Sequence, residues 1–328
     1  VNEPASIAPS TTPDHAIVLE GRALVHRYGR VNAFGKKPFA SLDDVNLAIH
    51  EREALAVVGE SGAGKSTLAH VLMLLARPSS GSVHFRGVDV TLAAPKGLER
   101  FRRDVQVVFQ DPLDQLDPRF TVERTLREPF VIQREHALDT RETALRLADE
   151  VGLSVEHLAR TPNALSGGQR QRVAIARALA LSPSVLFADE ATSALDVSVR
   201  AQILNLFLEL RRTRGLALVC ITHDLAVVDA MARRVVVMLA GRIVEEGSIE
   251  SVVDDPQHPY TTALVESRPG SRSVKGATTT ARAPISRAHT GCAFVLRCAE
   301  AHDRCRTEVP ALVDIGRGRR VACHAREA

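Results

Sequence analysis

The chain has 328 residues, 45% of them hydrophobic and 25% charged, with a formal net charge of +3, which suits two or three compact, water-soluble units. No apolar run approaches the roughly 20 residues a helix needs to cross a bilayer, and no charged-then-apolar leader opens the sequence, so a cytoplasmic protein that works at membranes only through partner subunits is expected. Trp is absent and aromatics are 4%, so the core must rest on Leu, Val, Ile and Ala.

Residues 1–16 are rich in Pro, Ser, Thr and Ala, lack periodicity, and read as a disordered lead-in. From Ile17 to about Ile49 the pattern is short and alternating, with turn signals at Tyr28-Gly29 and Phe34 to Pro38, which predicts an antiparallel sheet. Leu55 to Val58 is a short β-type run that feeds a glycine loop. A helix over 66–75 then carries Leu68, Val71, Leu72 and Leu75 on one side. Residues 111–155 open with Pro and Asp and continue in helical segments such as Arg141 to Val151. A helix from Gln169 to about Leu181, a strand Val185–Ala188, a helix Val197–Arg212 and strands at 217–221 and 235–238 complete a βαβ-like core. Residues 255–290, rich in Pro, Ser, Thr and Gly, read as a linker, and four of the five cysteines follow it. From Arg268 onward 12 Lys and Arg face 5 Asp and Glu. Such a tail can meet nucleic acid or anionic lipid, but its arginines are scattered, which favours a solvated basic surface. There is no internal repeat.

Gly59-x-x-x-x-Gly64-Lys65-Ser66-Thr67 stands between a strand and a helix, where a phosphate loop belongs. Glycines, including Gly62 after Ser61, let backbone N–H groups turn inward around phosphate oxygens at a positive helix N-terminus. Lys65 then reaches the β- and γ-phosphates and Ser66 offers a hydroxyl to Mg²⁺. The strand ending in Asp189-Glu190 supplies the other half. Asp189 can hold Mg²⁺, and Glu190 can polarise a water aimed at the γ-phosphate.

With these residues in place the chain resembles the nucleotide-binding subunit of an ATP-binding-cassette transporter, over about residues 17–265. The resemblance is carried by the phosphate loop, by Val108-Phe109-Gln110-Asp111-Pro112, by the signature Leu165-Ser-Gly-Gly-Gln-Arg-Gln-Arg172, by Leu186-Phe-Ala-Asp189-Glu190, by Ser193-Ala-Leu-Asp196, and by His223 in Ile221-Thr-His-Asp224. It implies an α/β fold: a phosphate-loop ATPase core with an antiparallel β subdomain and a helical insert, plus a small cysteine-rich C-terminal domain. It implies an ATPase using ATP and Mg²⁺, with Glu190 as general base, His223 on the γ-phosphate, and Gln110 sensing Mg²⁺ and the attacking water. Ser166, Gly167, Gly168 and Gln169 would belong to the ATP site, with Ser166 and Gly168 touching the γ-phosphate held by the opposite subunit. Asp196 would lie at that interface, so the working unit is a dimer. Tyr28 falls where the family stacks an aromatic on adenine, although Phe34 is an alternative. Ala191 replaces the proline usual after the acidic pair.

His258-Pro259-Tyr260-Thr261, the Cys292, Cys298, Cys305 and Cys323 spacing, and Asp117 to Val122 resemble the dipeptide, oligopeptide and nickel importer branch. The expected organisation is a tail over 1–16, a cassette over 17–255 with a helical subdomain at about 111–172, a linker over 256–290, and a cysteine-rich domain over 291–328. A cytoplasmic location disfavours disulfides, and the spacing is not that of a common zinc ribbon. Four thiolates suit a 4Fe–4S iron–sulfur cluster, which the branch also implies, with zinc as the alternative, able to recruit His302 or His324. Cys220, in an apolar strand, reads as a packing residue. The expected partners are two membrane-spanning permease subunits, a second homologous ATPase forming a heterodimer, and an extracytoplasmic solute-binding protein, with no nucleic acid. A soluble cassette ATPase acting on nucleic acid or the ribosome, and a nickel importer ATPase, are the alternatives.

Overall fold

The computed structural model describes residues 16–29, 39–193, 195–267, 285 and 290–327. The expected lead-in (all but Ala16), Phe34, Ala194 and nearly all of 272–290 lie outside the described residues.

Strands β1 (Ile17–Tyr28) and β2 (Phe39–His50) pair antiparallel, and β4 (Ser80–Phe85) and β5 (Val88–Asp89) extend them into a four-stranded sheet. The main sheet has β3 (Ala54–Val58) near its middle, followed by α1 (Lys65–Leu72). All five β3 residues are buried apolar side chains without alternation, as a strand covered on both faces requires. After α2 (Glu99–Asp104) comes β6 (Val105–Val108), and then a helical unit of α3 (Val122–Ile132), α4 (Arg141–Glu150) and α5 (Gly167–Leu179). Thr121 and Thr140 start α3 and α4 by accepting the backbone N–H of Arg124 and Thr143 at 3.3 and 3.2 Å. The unit buries Leu126, Phe130, Leu147 and Val173 in one cluster with the underside of the main sheet.

The chain returns through β7 (Val185–Asp189), α6 (Val197–Arg214), β8 (Ala217–Thr222), α7 (Leu225–Met231), β9 (Arg234–Leu239) and β10 (Arg242–Ser248). Strand β3 lies between β8 and β9, and β6 pairs with β7, all parallel, so the loops leaving β3, β6, β7 and β8 emerge at one end of the sheet. In open sheets of this kind, ligands bind outside the carboxyl ends of the strands.

Helices α8 (Ile249–Asp254), α9 (Pro259–Glu266) and α10 (Asp303–Thr307) and strands β11 (Val313–Asp314) and β12 (Arg320–Val321) finish the chain. β12 pairs with β10 and β11 with β12, making an eight-stranded sheet. The C-terminal segment is therefore hydrogen-bonded to the edge of the main sheet, and its Phe294 shares a core cluster with β3 and β9.

Two local expectations are corrected. Residues 259–266, inside the stretch read as a linker, form a helix whose Tyr260 is 1% exposed; its flanking Pro and Ser content masked a short apolar face. Leu75 lies beyond the end of α1 and is 60% exposed, because the helix stops at Leu72.

Candidate functional site

The phosphate loop leaves β3 at Val58 and closes at the start of α1. Gly59 has φ +152°, and a Cβ there would stand 2.3 Å from the Met238 carbonyl oxygen; at Gly64, φ +103°, it would stand 2.5 Å from the Ser41 carbonyl oxygen. Only glycine lets this loop press so closely on β9 and β2. No side chain caps α1, which leaves its first-turn N–H groups facing the loop for an anion. The Lys65 side chain is buried, and its ammonium donates to the carbonyls of Gly59 at 2.8 Å and Glu60 at 3.1 Å. Burial pushes its pKa down, against the pull of Glu190 and Asp189.

Across the loop, Ser66 Oγ donates to Asp189 Oδ1 at 3.2 Å. Burial raises the Asp189 pKa, and the Ser66 hydrogen bond opposes this. The Ser66 hydroxyl and the buried Asp189 carboxylate are oxygen donors of the kind Mg²⁺ takes together with phosphate oxygens, so these residues fit the ion; when bound, it would neutralise phosphate charge. The next residue, Glu190, has φ +47°, a conformation a side-chain-bearing residue rarely adopts. Its N–H is tied to the Ile221 carbonyl at 2.9 Å, and its Oε1 is 3.1 Å from His223 Nδ1. β6 lies beside β7 with Val108 opposite Ala188, so Gln110, exposed just past the strand, leaves the sheet beside this acidic pair. Phosphate loop, Asp189, Glu190, His223 and Gln110 thus share one end of the sheet. A larger cavity, of about 310 Å³, lies elsewhere, between β2, β10 and the C-terminal segment, and contains none of these groups.

Other candidate residues stand apart from this centre. Ser166 starts α5 through a capping box in which its Oγ accepts from Gln169 N–H at 3.3 Å and its own N–H donates to Gln169 Oε1 at 2.9 Å. Gly167 and Gly168 form the first turn, and a Cβ on Gly168 would meet Val199 Cγ1 at 2.6 Å. Asp196 caps α6 by accepting from Val199 N–H at 3.0 Å. Among the described residues no hydrogen bond or ion pair joins residues 166–169 to the phosphate loop or to the Asp189–Glu190 pair. Tyr28, at the end of β1, is 49% exposed and stands edge-on to His26, at 4.7 Å between ring centroids.

Cys292, Cys298, Cys305 and Cys323 line one small cavity together with His258 and His324. Burial pushes the Cys292 thiol up to about 11, with the neighbouring cysteines adding to the rise, and burial likewise raises Cys298 and Cys323. Among the described residues, no group of three or more His, Cys, Asp or Glu side chains stands ready to hold a metal ion. Cys220, pushed up to about 12 by burial, is a packing residue as expected. The sequence reading gave no role to Tyr260 or Arg297. The structure brings both to Glu60 of the phosphate loop, at 2.7 and 3.1 Å; the His-Pro-Tyr motif was the available signal.

A glycine loop cradling a buried lysine beside a serine–aspartate pair and a Glu–His pair defines a phosphate-loop ATPase of the cassette type. The "ABC transporter" family model matches residues 42–193, and the "Oligopeptide/dipeptide transporter, C-terminal region" model matches residues 244–305. A di/tripeptide transport ATP-binding protein of Pseudomonas aeruginosa is 42% identical over 321 residues, covering 94% of this chain and 98% of its own. A probable peptide ABC transporter ATP-binding protein of Sinorhizobium fredii is 46% identical over 294 residues, covering 87% and 82%. The ATP-binding cassette MJ0796, solved as a post-hydrolysis dimer with ADP and Pi, superposes with a TM-score of 0.62 at 30% identity, over 70% of this chain and 98% of that one. The chain belongs to the ATP-binding-cassette transporter family, in the branch that carries the oligopeptide/dipeptide C-terminal region, and it is an ATPase.

Proposed function

We propose that the chain is the ATP-hydrolysing, energy-coupling subunit of a dipeptide or oligopeptide importer. The observation that carries this is the pairing of an ATP centre with the peptide-transporter C-terminal region in one chain. Lys65 and the loop N–H groups of Gly59 to Thr67, Ser61 and Gly62 among them, bind the phosphates; Ser66, Asp189 and Gln110 hold Mg²⁺; Tyr28 stacks on adenine. Glu190 takes the proton of the attacking water, and His223, within 3.1 Å of it, steadies the carboxylate and reaches the γ-phosphate. Ser166, Gly167, Gly168, Gln169 and Asp196 complete the site of a second, homologous ATPase chain, which accounts for their separation from the phosphate loop here. Closure of the pair pushes two permease subunits from the cytoplasmic face of the membrane, through the helical insert next to Gln110. An extracytoplasmic binding protein selects the peptide.

The organisation proposed is a cassette over 17–255 and a cysteine-rich unit over 291–328 that docks on it. Cys292, Cys298, Cys305 and Cys323 hold a 4Fe–4S cluster, with zinc as the alternative occupant; the cluster staples a segment with little core of its own. A nucleic-acid role for the basic C-terminus is disfavoured, since Arg297, Arg304, Arg319, Arg320 and Arg326 are all engaged in ion pairs.

The test is a mild-detergent, anaerobic pull-down of the tagged chain from native membranes. Two multi-spanning proteins and a second cassette ATPase are expected. Ribosomal or DNA-repair proteins without a membrane protein would overturn the importer reading.

A further inference from the structure

Glu60 follows the first glycine of the phosphate loop, and three of its groups are held. Its N–H donates to Tyr260 Oη at 2.7 Å, its carboxylate receives Nη1 of Arg297 at 3.1 Å, and its carbonyl accepts the Lys65 ammonium at 3.1 Å. The first two partners lie 200 and 237 residues away in sequence. Arg297 belongs to the loop between Cys292 and Cys298. Tyr260 is 1% exposed and packs on Phe294 of the same loop, with ring centroids 5.6 Å apart. Its backbone is fixed as firmly: Tyr260 N–H donates to His258 Nδ1 at 3.0 Å, and the fully buried Glu245 accepts from the N–H groups of Gln257 and His258, both at 2.9 Å.

A loop flanked by glycines at 59 and 62 is soft, and binding phosphate must fix its backbone. A contact that fixes it beforehand lowers the cost of binding. The clamped residue is also the one whose carbonyl holds Lys65. We propose that Tyr260 and Arg297 are positioning residues for the ATP site: they preset the phosphate loop from the C-terminal segment, and they link nucleotide affinity to the order of the 292–298 loop. This rests on the reading of the phosphate loop as the ATP site. By reciprocity, ATP bound to the loop stabilises the docked cysteine segment by the same factor.

The test measures Mg–ATP binding by calorimetry on the full chain, and steady-state ATPase on the assembled complex, each carrying Tyr260→Phe, Arg297→Glu, the charge swap Glu60→Arg with Arg297→Glu, or Lys65→Ala. Tyr260→Phe keeps the ring and its packing but orphans the Glu60 N–H, so ATP binding weakens about three- to tenfold. The loss appears in KM, with kcat at saturating ATP held. Arg297→Glu weakens binding in the same way, and the charge swap recovers most of the affinity. Wild-type affinity in Tyr260→Phe and Arg297→Glu, with Lys65→Ala impaired, overturns the clamp and leaves the ATP site standing. A loss in Arg297→Glu that the swap does not recover also overturns it. Undiminished binding in Lys65→Ala removes the ATP-site reading itself.

Discussion

At the scale of single residues, the centre is a set of charges kept buried until a nucleotide arrives. Lys65 rests on two carbonyls and Asp189 on one hydroxyl, and burial disfavours the charged form of both. Each charge therefore gains by meeting its opposite in Mg–ATP. Glu190 is held in a left-handed backbone conformation that aims its carboxylate at His223, and strain of this kind clusters at active sites. Glu190→Gln keeps the shape and removes the carboxylate proposed as the base. ATP binding should persist while phosphate release falls about 10²- to 10⁴-fold; turnover at the wild-type rate would remove Glu190 from the base role. Gly64→Ala forces a Cβ to 2.5 Å from the Ser41 carbonyl and should abolish binding of a fluorescent ATP analogue. The placement of these residues was legible in advance, because Lys65, Ser66, Asp189 and Glu190 sit at fixed offsets from strand ends. Their contacts were not: Ser66 meets Asp189 across 123 residues of sequence.

At the scale of elements, local patterns foretold strands and helices wherever one face was plainly apolar. The buried runs 54–58, 185–189 and 217–222 are strands, and the stripe of 141–150 is a helix. Leu126 of α3 is fully buried in the helical unit, so Leu126→Ala should lower stability by about 2–5 kcal/mol, read from urea unfolding. Helix α9 escaped the sequence reading. Its eight residues begin with Pro259, and its stability comes from Tyr260 packing on Phe294 and from His258 at its N-cap rather than from any periodicity of its own. Burial, with Arg326 nearby, lowers the His258 pKa from 6.5 to about 3. The unfolded chain therefore binds more protons than the folded one below pH 6.5. This contribution to stability is complete above pH 6.5 and declines as the pH falls toward 3. Urea midpoints should drop between pH 7 and pH 4.5, and His258→Asn, which keeps a capping side chain, should flatten the drop; an unchanged slope would sink the assignment.

At the scale of the whole molecule, one chain carries the phosphate loop and the Leu165 to Arg172 signature but, among the described residues, does not join them. The phosphate loop lies at one end of the parallel sheet, and the signature starts α5 of the helical unit, with no bond between them among the described residues. Ser166→Arg should leave ATP binding by the isolated chain intact and abolish turnover in the assembled complex; persisting turnover would mean that the site is not shared. At the opposite edge, β12 pairs with β10 and ties the cysteine segment to the cassette. Replacing Cys292 and Cys298 by Ser should strip iron or zinc from anaerobically purified protein, as read by elemental analysis. Metal content equal to wild type would refute the ligand assignment.

The sequence by itself determined the family and its ATPase class, because a phosphate loop, an acidic pair and a signature are short, contiguous patterns whose local backbone geometry dictates their composition. Only the tertiary structure decided that residues 259–266 are a buried helix, that the last strands extend the main sheet, and that Tyr260 and Arg297 grip the phosphate loop. Those facts depend on residues distant in sequence meeting in space, Tyr260 with Phe294, Glu245 with Val321, and Glu60 with Tyr260 and Arg297, and no local pattern encodes such a meeting.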